Sequence, residues 1–406
     1  MTSPRASSHH APVLRTRTVR FASMLMALAI VFGACGASGG SDQQPTASSS
    51  RRPQTKGFAG ATVNNLDFLA QAIRSLITGT PLYNADFADP FVYREGGDYW
   101  AYATNTEDAH VPVLSSTGGG VVDALPALPE WTTEGFIWSP AVARIGDHMV
   151  LYYATAMLGR MCISVAVGDN PDGPFVDRSE EPLICPYDDG GAIDPSPYQV
   201  NGRWYLTWKV DGNCCELPTS ILAAELSDDG TALSGDPVTL IGADQAWEGG
   251  LVEAPSMTSL QGNLVLAYSA NAWDSEDYGV GAATCAGPLG PCTKLDGPFL
   301  KSGGEFQGPG GEEWFVSALG DTMLVFHGWP EGEVSNANVG RHLYLEVVEW
   351  DNGPKLVGKQ RAQTVVFITF GSTAIVLLAI LLLFRQQRAR RRNAELRAAS
   401  QAGPSA

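Results

Sequence analysis

Five stretches of this chain repeat one plan: a small or polar residue beside proline or glycine, a strand, a glycine turn, and a second strand rich in aromatics. They read ADPFVYREGGDYWAYAT (88–104), WSPAVARIGDHMVLYYAT (138–155), IDPSPYQVNGRWYLTWK (193–209), EAPSMTSLQGNLVLAYSA (253–270) and GGEEWFVSALGDTMLVFHGW (310–329). From Asp89 to Gly97, from Trp138 to Gly146 and from Asp194 to Gly202 the gap is eight residues; from Glu253 to Gly262 and from Gly311 to Gly320 it is nine. Repeat starts fall 49 to 59 residues apart, a length that suits a four-stranded propeller blade. A β-sandwich also supplies many short strands, but it does not restart the same hairpin in one frame. The expected fold is therefore all-β, a five-bladed β-propeller over residues 81–360.

In a propeller the innermost strands line a central channel, so the head of each inner strand faces the axis. Asp89, Trp138, Asp194, Glu253 and Gly311 are then expected to converge, and three of the five are acids. Proline after the head fixes φ and removes a donor where the ladder has not begun. Carboxyls gathered in a partly enclosed pocket cannot all ionise freely, because repulsion and desolvation raise at least one pKa. One protonated acid and one ionised base flanking a sugar are what glycosidic hydrolysis needs. Taken singly, each Asp-Pro reads equally as a turn opener, and an acid cluster can also hold calcium through its oxygens.

The stretches NADFADPF, IDPSPYQVNGRWYLTWK, DGNCC, WEGGLVEAPSM and YSAN together resemble glycoside hydrolase family 43, the five-bladed propeller α-L-arabinofuranosidases, arabinanases and β-xylosidases, from about Tyr83 to Trp350. The resemblance implies that Asp89 is the general base, Asp194 tunes and orients the acid, and Glu253 is the general acid of an inverting glycosidase. Base and acid would then stand about 6.5–9.5 Å apart to admit a water. Trp138 and Trp247 are placed to contact the sugar, although core packing explains buried tryptophans equally well; the resemblance adds Asn271 and Arg341, the latter able instead to hold Asp194 or to pair with a blade carboxylate, and implies no required cofactor. Family members usually carry GPGH in the fifth blade, where this chain reads GPGGEEW, so Gly311 stands in place of histidine. His327 occupies another family histidine position, near which a structural calcium ion could sit, although a hydrogen-bonded core histidine reads equally well. Glu312 could supply a replacement oxygen, but is expected as a solvated loop acid. The implied activity is release of terminal pentosyl groups, foremost α-L-arabinofuranosyl, from a polysaccharide. Endo-arabinanase or β-xylosidase action in the same family, a retaining fructan hydrolase and a carbohydrate-binding propeller without catalysis are the competing readings. The fructan families' NDPNG and RDP signatures are replaced here by ADPFV and IDP.

Two apolar segments frame the propeller. Residues 1–34 read as an export signal, with Arg15, Arg17 and Arg20 before an apolar run, and FGAC resembles a lipobox that would place a lipid on Cys35. Residues 35–56 are a Gly/Ser/Pro linker, and residues 57–80 carry a short amphipathic helix with Leu66, Leu69, Ile73 and Leu76 on one face. Residues 364–384 hold 21 uncharged positions followed by an arginine-rich tail, 385–406, the pattern of a single membrane span with a cytoplasmic end. The expected location is the cell membrane with the propeller outside. Between residues 57 and 384 there are 13 Lys/Arg against 41 Asp/Glu, an acidity that argues against nucleic-acid binding. Of the seven cysteines, six suit disulfides in an oxidising compartment. Cys162 with Cys185 and Cys285 with Cys292 are the near pairs, leaving Cys214 and Cys215 to bridge each other or stay free. The two-residue gaps of zinc knuckles are missing.

Overall fold

The computed structural model describes residues 65–118 and 120–364. The expected export signal, Cys35, the expected linker and the apolar segment 365–384 with the tail after it lie outside the described residues. Among the described residues, no helix is long and apolar enough to cross a membrane. A helix α1 (Asn65–Thr78) precedes five antiparallel sheets.

The first blade runs β1 (Phe91–Glu95), β2 (Asp98–Tyr102), β3 (Pro112–Ser115) and β4 (Val121–Asp123). The second has three strands: β5 (Thr133–Ile145), β6 (His148–Met157) and β7 (Arg160–Gly168). Its fourth place is taken by an irregular run that touches β7 through Val167–Val176 and Ile163–Ile184 bridges and is tied to it by the Cys162–Cys185 disulfide. The third runs β8 (Ala192–Val200), β9 (Arg203–Val210), β10 (Ser220–Glu225) and β11 (Val238–Gly242). The fourth runs β12 (Val252–Leu260), β13 (Asn263–Ala270), β14 (Gly279–Cys285) and β15 (Cys292–Lys294), its outer hairpin stapled by Cys285–Cys292. The fifth runs β16 (Phe306–Val316), β17 (Thr322–Pro330), β18 (His342–Trp350) and β19 (Pro354–Leu356). The five-bladed propeller stands, with one blade short of a regular outer strand.

Local chemistry sets each hairpin. Between β8 and β9, Asn201 and Gly202 take φ 52° and 81°, the left-handed pair whose twist matches the flanking strands. Strand alternation is nearly lost in the middle strands: from Met149 to Ala156 every residue of β6 is buried. The reason is that each blade has an apolar neighbour on both faces. Five core clusters fill the five gaps, such as Phe91 and Tyr102 against Met149 and Tyr153, or Tyr198 and Ile221 against Val252 and Tyr268. The ring closes where Leu82 and Tyr83 pair with Leu343 of β18, so that a segment ahead of the first blade completes the edge of the fifth. Ala72 and Leu76 of α1 cover Val347 and Val357 beside it.

The inner strands β1, β5, β8, β12 and β16 touch in a closed ring. Two residues before the regular ladder of each begins, the backbone is left-handed: Asp89 (φ 50°), Ser139 (46°), Asp194 (55°), Ala254 (47°) and Gly311 (56°). Ladder register breaks at the same place in β5, β8, β12 and β16. This backbone frame corrects the sequence alignment of the repeats. Trp138 and Glu253 sit one residue before the left-handed position, level with Ile193 and Gly310, and do not share the phase of Asp89 and Asp194. The bulge turns two successive side chains toward the axis, so an acid reaches the centre from either position.

Candidate active site

A cleft of about 410 Å³ lies at one mouth of the axial channel, lined by Asp89, Asp194 and Glu253 together with Trp138 and Arg341. The narrow channel behind it shares Asp89, Ser139, Asp194 and Ala254 and is walled further on by Gly311, Glu312 and Glu313. Sequence reasoning therefore placed the three acids together, while Gly311 belongs to the channel and not to the cleft.

The left-handed heads are stitched from blade to blade. Asp89 N–H donates to His327 Nδ1 at 3.0 Å, Ser139 N–H to Thr104 Oγ1 at 3.0 Å, Ala254 N–H to Asp194 Oδ2 at 2.9 Å, and Gly311 N–H to Ser269 Oγ at 2.9 Å. Each donor reaches into the preceding blade. The stitches satisfy backbone donors that the bulges release from the ladders, and they hold the acids in one frame.

Each carboxyl has its own surroundings. Asp89 Oδ2 accepts the Thr104 hydroxyl at 2.6 Å, and Oδ1 stands 3.4 Å from the Arg341 guanidinium. Asp194 Oδ1 accepts the Ser139 hydroxyl at 2.7 Å. Burial, reinforced by the Glu253 charge and opposed by Lys209, pushes the Asp194 carboxyl up to about 7. Glu253 is buried; its Oε2 lies 2.7 Å from Lys209 Nζ and its Oε1 accepts the Tyr278 hydroxyl at 2.7 Å. Lys209 is itself buried and stands 3.2 Å from Asp211 Oδ1. Burial alone would strip its proton, but the carboxylates of Glu253, Asp194 and Asp211 outweigh that and raise its pKa. Three carboxyls thus face one ammonium, an imbalance that favours keeping a proton within the cluster near neutral pH.

Four site residues escaped the sequence reading: Lys209, Asp211, Tyr278 and Trp273. Lys209 was legible only as a charge inside the apolar run YLTWK, where an unpaired ammonium is costly. Trp273 is 46% exposed, stacks on Trp329 at 6.0 Å, and carries the Arg341 guanidinium 4.7 Å above its ring. Trp138 lines the cleft as expected. Trp247 and Asn271 do not. Trp247 packs on Tyr268 between the third and fourth blades and donates to Gln245 Oε1, and Asn271 donates to the Trp247 carbonyl. Both brace the turn ahead of β12, because their polar atoms are taken by that turn.

Gly311 has no room for the family histidine. A Cβ there would lie 2.5 Å from His327 Cε1 and 2.8 Å from Asp89 Oδ1, on a backbone with φ 56°. Gly311→Ala is expected to destabilise the fold by about 2 kcal/mol and to lower kcat/KM by displacing Asp89. Thermal melts with steady-state kinetics check this, and a variant matching wild type in both overturns it. Glu312 is not a solvated loop acid: it is 1% exposed, with Oε2 2.5 Å from Ser269 Oγ, and burial raises its pKa well above the ordinary carboxyl value. His327 does not fit a calcium site. Its Nδ1 accepts the Asp89 N–H, which leaves the proton on Nε2, and burial, with the Arg341 charge, lowers its pKa well below the usual value. Among the described residues no group of three or more His, Cys, Asp or Glu could hold a metal ion.

Raised carboxyl pKa values have a consequence for stability. Burial pushes Asp194 to about 7 and Glu313 to about 8, above their unfolded values. The folded state therefore binds more protons than the unfolded chain between about pH 4 and pH 8. This contribution is complete at acid pH and is lost as pH rises through the folded values. Calorimetry is expected to show Tm falling by several degrees from about pH 5 to about pH 8.5, with a shallower slope in Glu313→Gln. A Tm that rises over this range contradicts the assignment.

Three carboxyls from separate blades in a sugar-sized cleft, one of them gripped by a lysine and a tyrosine, define a glycoside hydrolase site. The comparisons with known proteins agree. The model of glycosyl hydrolases family 43 matches residues 78–354, and the chain belongs to this family. It is similar to a β-D-galactofuranosidase of Aspergillus niger, with 24% identity over 285 residues, 64% of this chain and 79% of that protein. It is also similar to an extracellular exo-α-(1→5)-L-arabinofuranosidase of Streptomyces chartreusis, with 30% identity over 211 residues, 48% of this chain and 63% of that one. Among solved structures, a thermostable family-43 glycoside hydrolase superposes with TM-score 0.58 at 26% identity, covering 67% of this chain and 93% of that one. All three disulfides expected or left open from the sequence are formed, Cys214–Cys215 included.

Proposed function

We propose that this chain is an inverting exo-glycosidase that removes terminal α-L-arabinofuranosyl groups from a polysaccharide. Asp89 takes the proton of the attacking water, Glu253 delivers a proton to the departing glycosidic oxygen, and Asp194 orients Glu253 and tunes its charge. The carrying observation is the convergence of these three carboxyls on one cleft, with both oxygens of Glu253 fixed by Lys209 and Tyr278. A rigidly held acid loses little freedom in reaching the transition state. Both similar enzymes named above act, by their names, on furanosides, which supports a furanosyl substrate over a pyranosyl one. No cofactor enters this mechanism. The sequence also supports export, with anchoring through residues 364–384 and a lipid on Cys35, so that the propeller works outside the cell.

Purified full-length chain is expected to hydrolyse 4-nitrophenyl α-L-arabinofuranoside faster than the β-D-xyloside. NMR of the first-formed sugar is expected to show the anomer opposite to that of the substrate. Retention of configuration overturns the roles of Asp89 and Glu253. Absence of turnover on either glycoside and on arabinan overturns the activity.

A further inference from the structure

The Cys214–Cys215 bridge meets the cleft through Cys214, and nothing in the mechanism above uses it. The two other disulfides act as staples. Cys162–Cys185 closes 23 residues and secures the irregular edge of the second blade, and Cys285–Cys292 joins paired positions of β14 and β15. A bridge between sequence neighbours closes no loop, so it removes almost no freedom from the unfolded chain. Its effect is local: it presents two sulfurs on a small ring with Cα atoms 3.8 Å apart.

That ring is placed by a tightly packed turn. Gly212–Cys215 form a 3-10 turn directly after β9, the strand that carries Lys209. Cys214 N–H donates to the Asp211 carbonyl at 3.3 Å, and Leu217 N–H to the Gly212 carbonyl at 2.9 Å. A Cβ on Gly212 would meet the Pro218 carbonyl oxygen at 2.1 Å, and one on Gly190 the Asp211 carbonyl oxygen at 2.6 Å, so the turn has no slack. Cys214 is nevertheless exposed and lines the cleft beside Asp211 and Asn213. The opposite requirement, an apolar contact, comes from the ligand. A furanosyl ring offers hydroxyls to carboxylates at its edge and C–H groups on its faces. Of the cleft residues, Trp138, Trp273 and Cys214 of the bridge supply apolar, polarisable surface on fixed supports.

We propose that the Cys214–Cys215 disulfide is a substrate-contacting wall of the cleft, its sulfurs packing on the C–H face of the glycosyl residue whose linkage is cut. This rests on the glycosidase reading above and assigns a binding determinant within that site. The contact is made with the ground state and the transition state alike, so its loss raises KM and leaves kcat nearly unchanged. Burial of roughly 40 Å² of sulfur and carbon surface corresponds to about a fivefold effect on affinity.

The test is steady-state kinetics of the full-length chain and of a Cys214→Ser/Cys215→Ser double variant on 4-nitrophenyl α-L-arabinofuranoside. The expected result is KM higher by about fivefold with kcat within about twofold of wild type. Mild reductant, with alkylation and mass mapping to identify the opened bridge, is expected to raise KM of the wild type and leave the double variant unmoved. An unchanged KM in the folded double variant overturns the proposal. Where that variant fails to fold by thermal melt, the reductant arm decides: a raised KM once Cys214 and Cys215 are alkylated supports the wall, and an unchanged KM overturns it. Where the wild type turns over no glycoside, the glycosidase reading fails separately. Calorimetric binding of arabinotriose then decides the wall, with weaker binding by the double variant supporting it and equal binding overturning it.

Discussion

Glu253→Gln is expected to lower kcat on an arabino-oligosaccharide by about three orders of magnitude, within the usual range for a lost general acid. The amide keeps the shape of the site: its oxygen still accepts from Lys209, and its NH2 donates to Tyr278, whose hydroxyl both donates and accepts. Binding therefore survives, and KM stays near the wild-type value. What is lost is the proton for the departing oxygen. A 4-nitrophenolate needs that proton far less than a sugar alkoxide does, so the variant retains much more of its activity on the aryl glycoside. Kinetics on the two substrates check this directly. An equal loss on both, or no loss on the oligosaccharide, removes Glu253 from the acid's role.

Lys209→Met is expected to cost about 3–5 kcal/mol of stability at neutral pH, the usual price of leaving a buried charge without its partner. Methionine matches the lysine stem in volume, so the loss is electrostatic. Glu253 and Asp211 face Nζ at 2.7 Å and 3.2 Å, and without it their charges have no counterion. Acidification neutralises these carboxyls, so the destabilisation shrinks as pH falls. The same change makes the cluster hold its proton to higher pH. The alkaline limb of kcat/KM therefore moves upward, a shift that loss of packing alone would not produce. Chemical denaturation at two pH values and a pH–rate profile check both parts. A loss of stability equal at both pH values with an unmoved limb contradicts the electrostatic role.

The propeller was legible because its signals are local. Asn201–Gly202 announces a hairpin on its own, and Asp89-Pro and Asp194-Pro mark strand heads whatever lies beside them. The cysteine pairs near in sequence were legible for the same reason. Phase was harder. Aligned on their prolines, Glu253-Ala-Pro matches Ile193-Asp-Pro with the acid one residue earlier, and the left-handed φ of Ala254 and Asp194 fixes that correspondence. Trp247 and Asn271 read as sugar contacts because they lie in WEGGLVEAPSM and YSAN, stretches that carry the family resemblance. Their partners, Gln245 Oε1 and the Trp247 carbonyl, place them in a brace instead. Glu312 followed the same pattern, a surface acid by composition and a buried one by its place in β16.

By itself, the amino-acid order determined the number of blades, where their hairpins turn, and that acids stand at the heads of three inner strands. Those features depend on backbone preference and on apolar runs, which neighbouring residues settle among themselves. Tertiary structure alone decided that Lys209 and Tyr278 grip Glu253, that Arg341 bridges Trp273 and Asp89, and that Cys214 lines the cleft. A buried charge is tolerable only when its counterion arrives from another strand. Which strand supplies it depends on how the blades close into a ring.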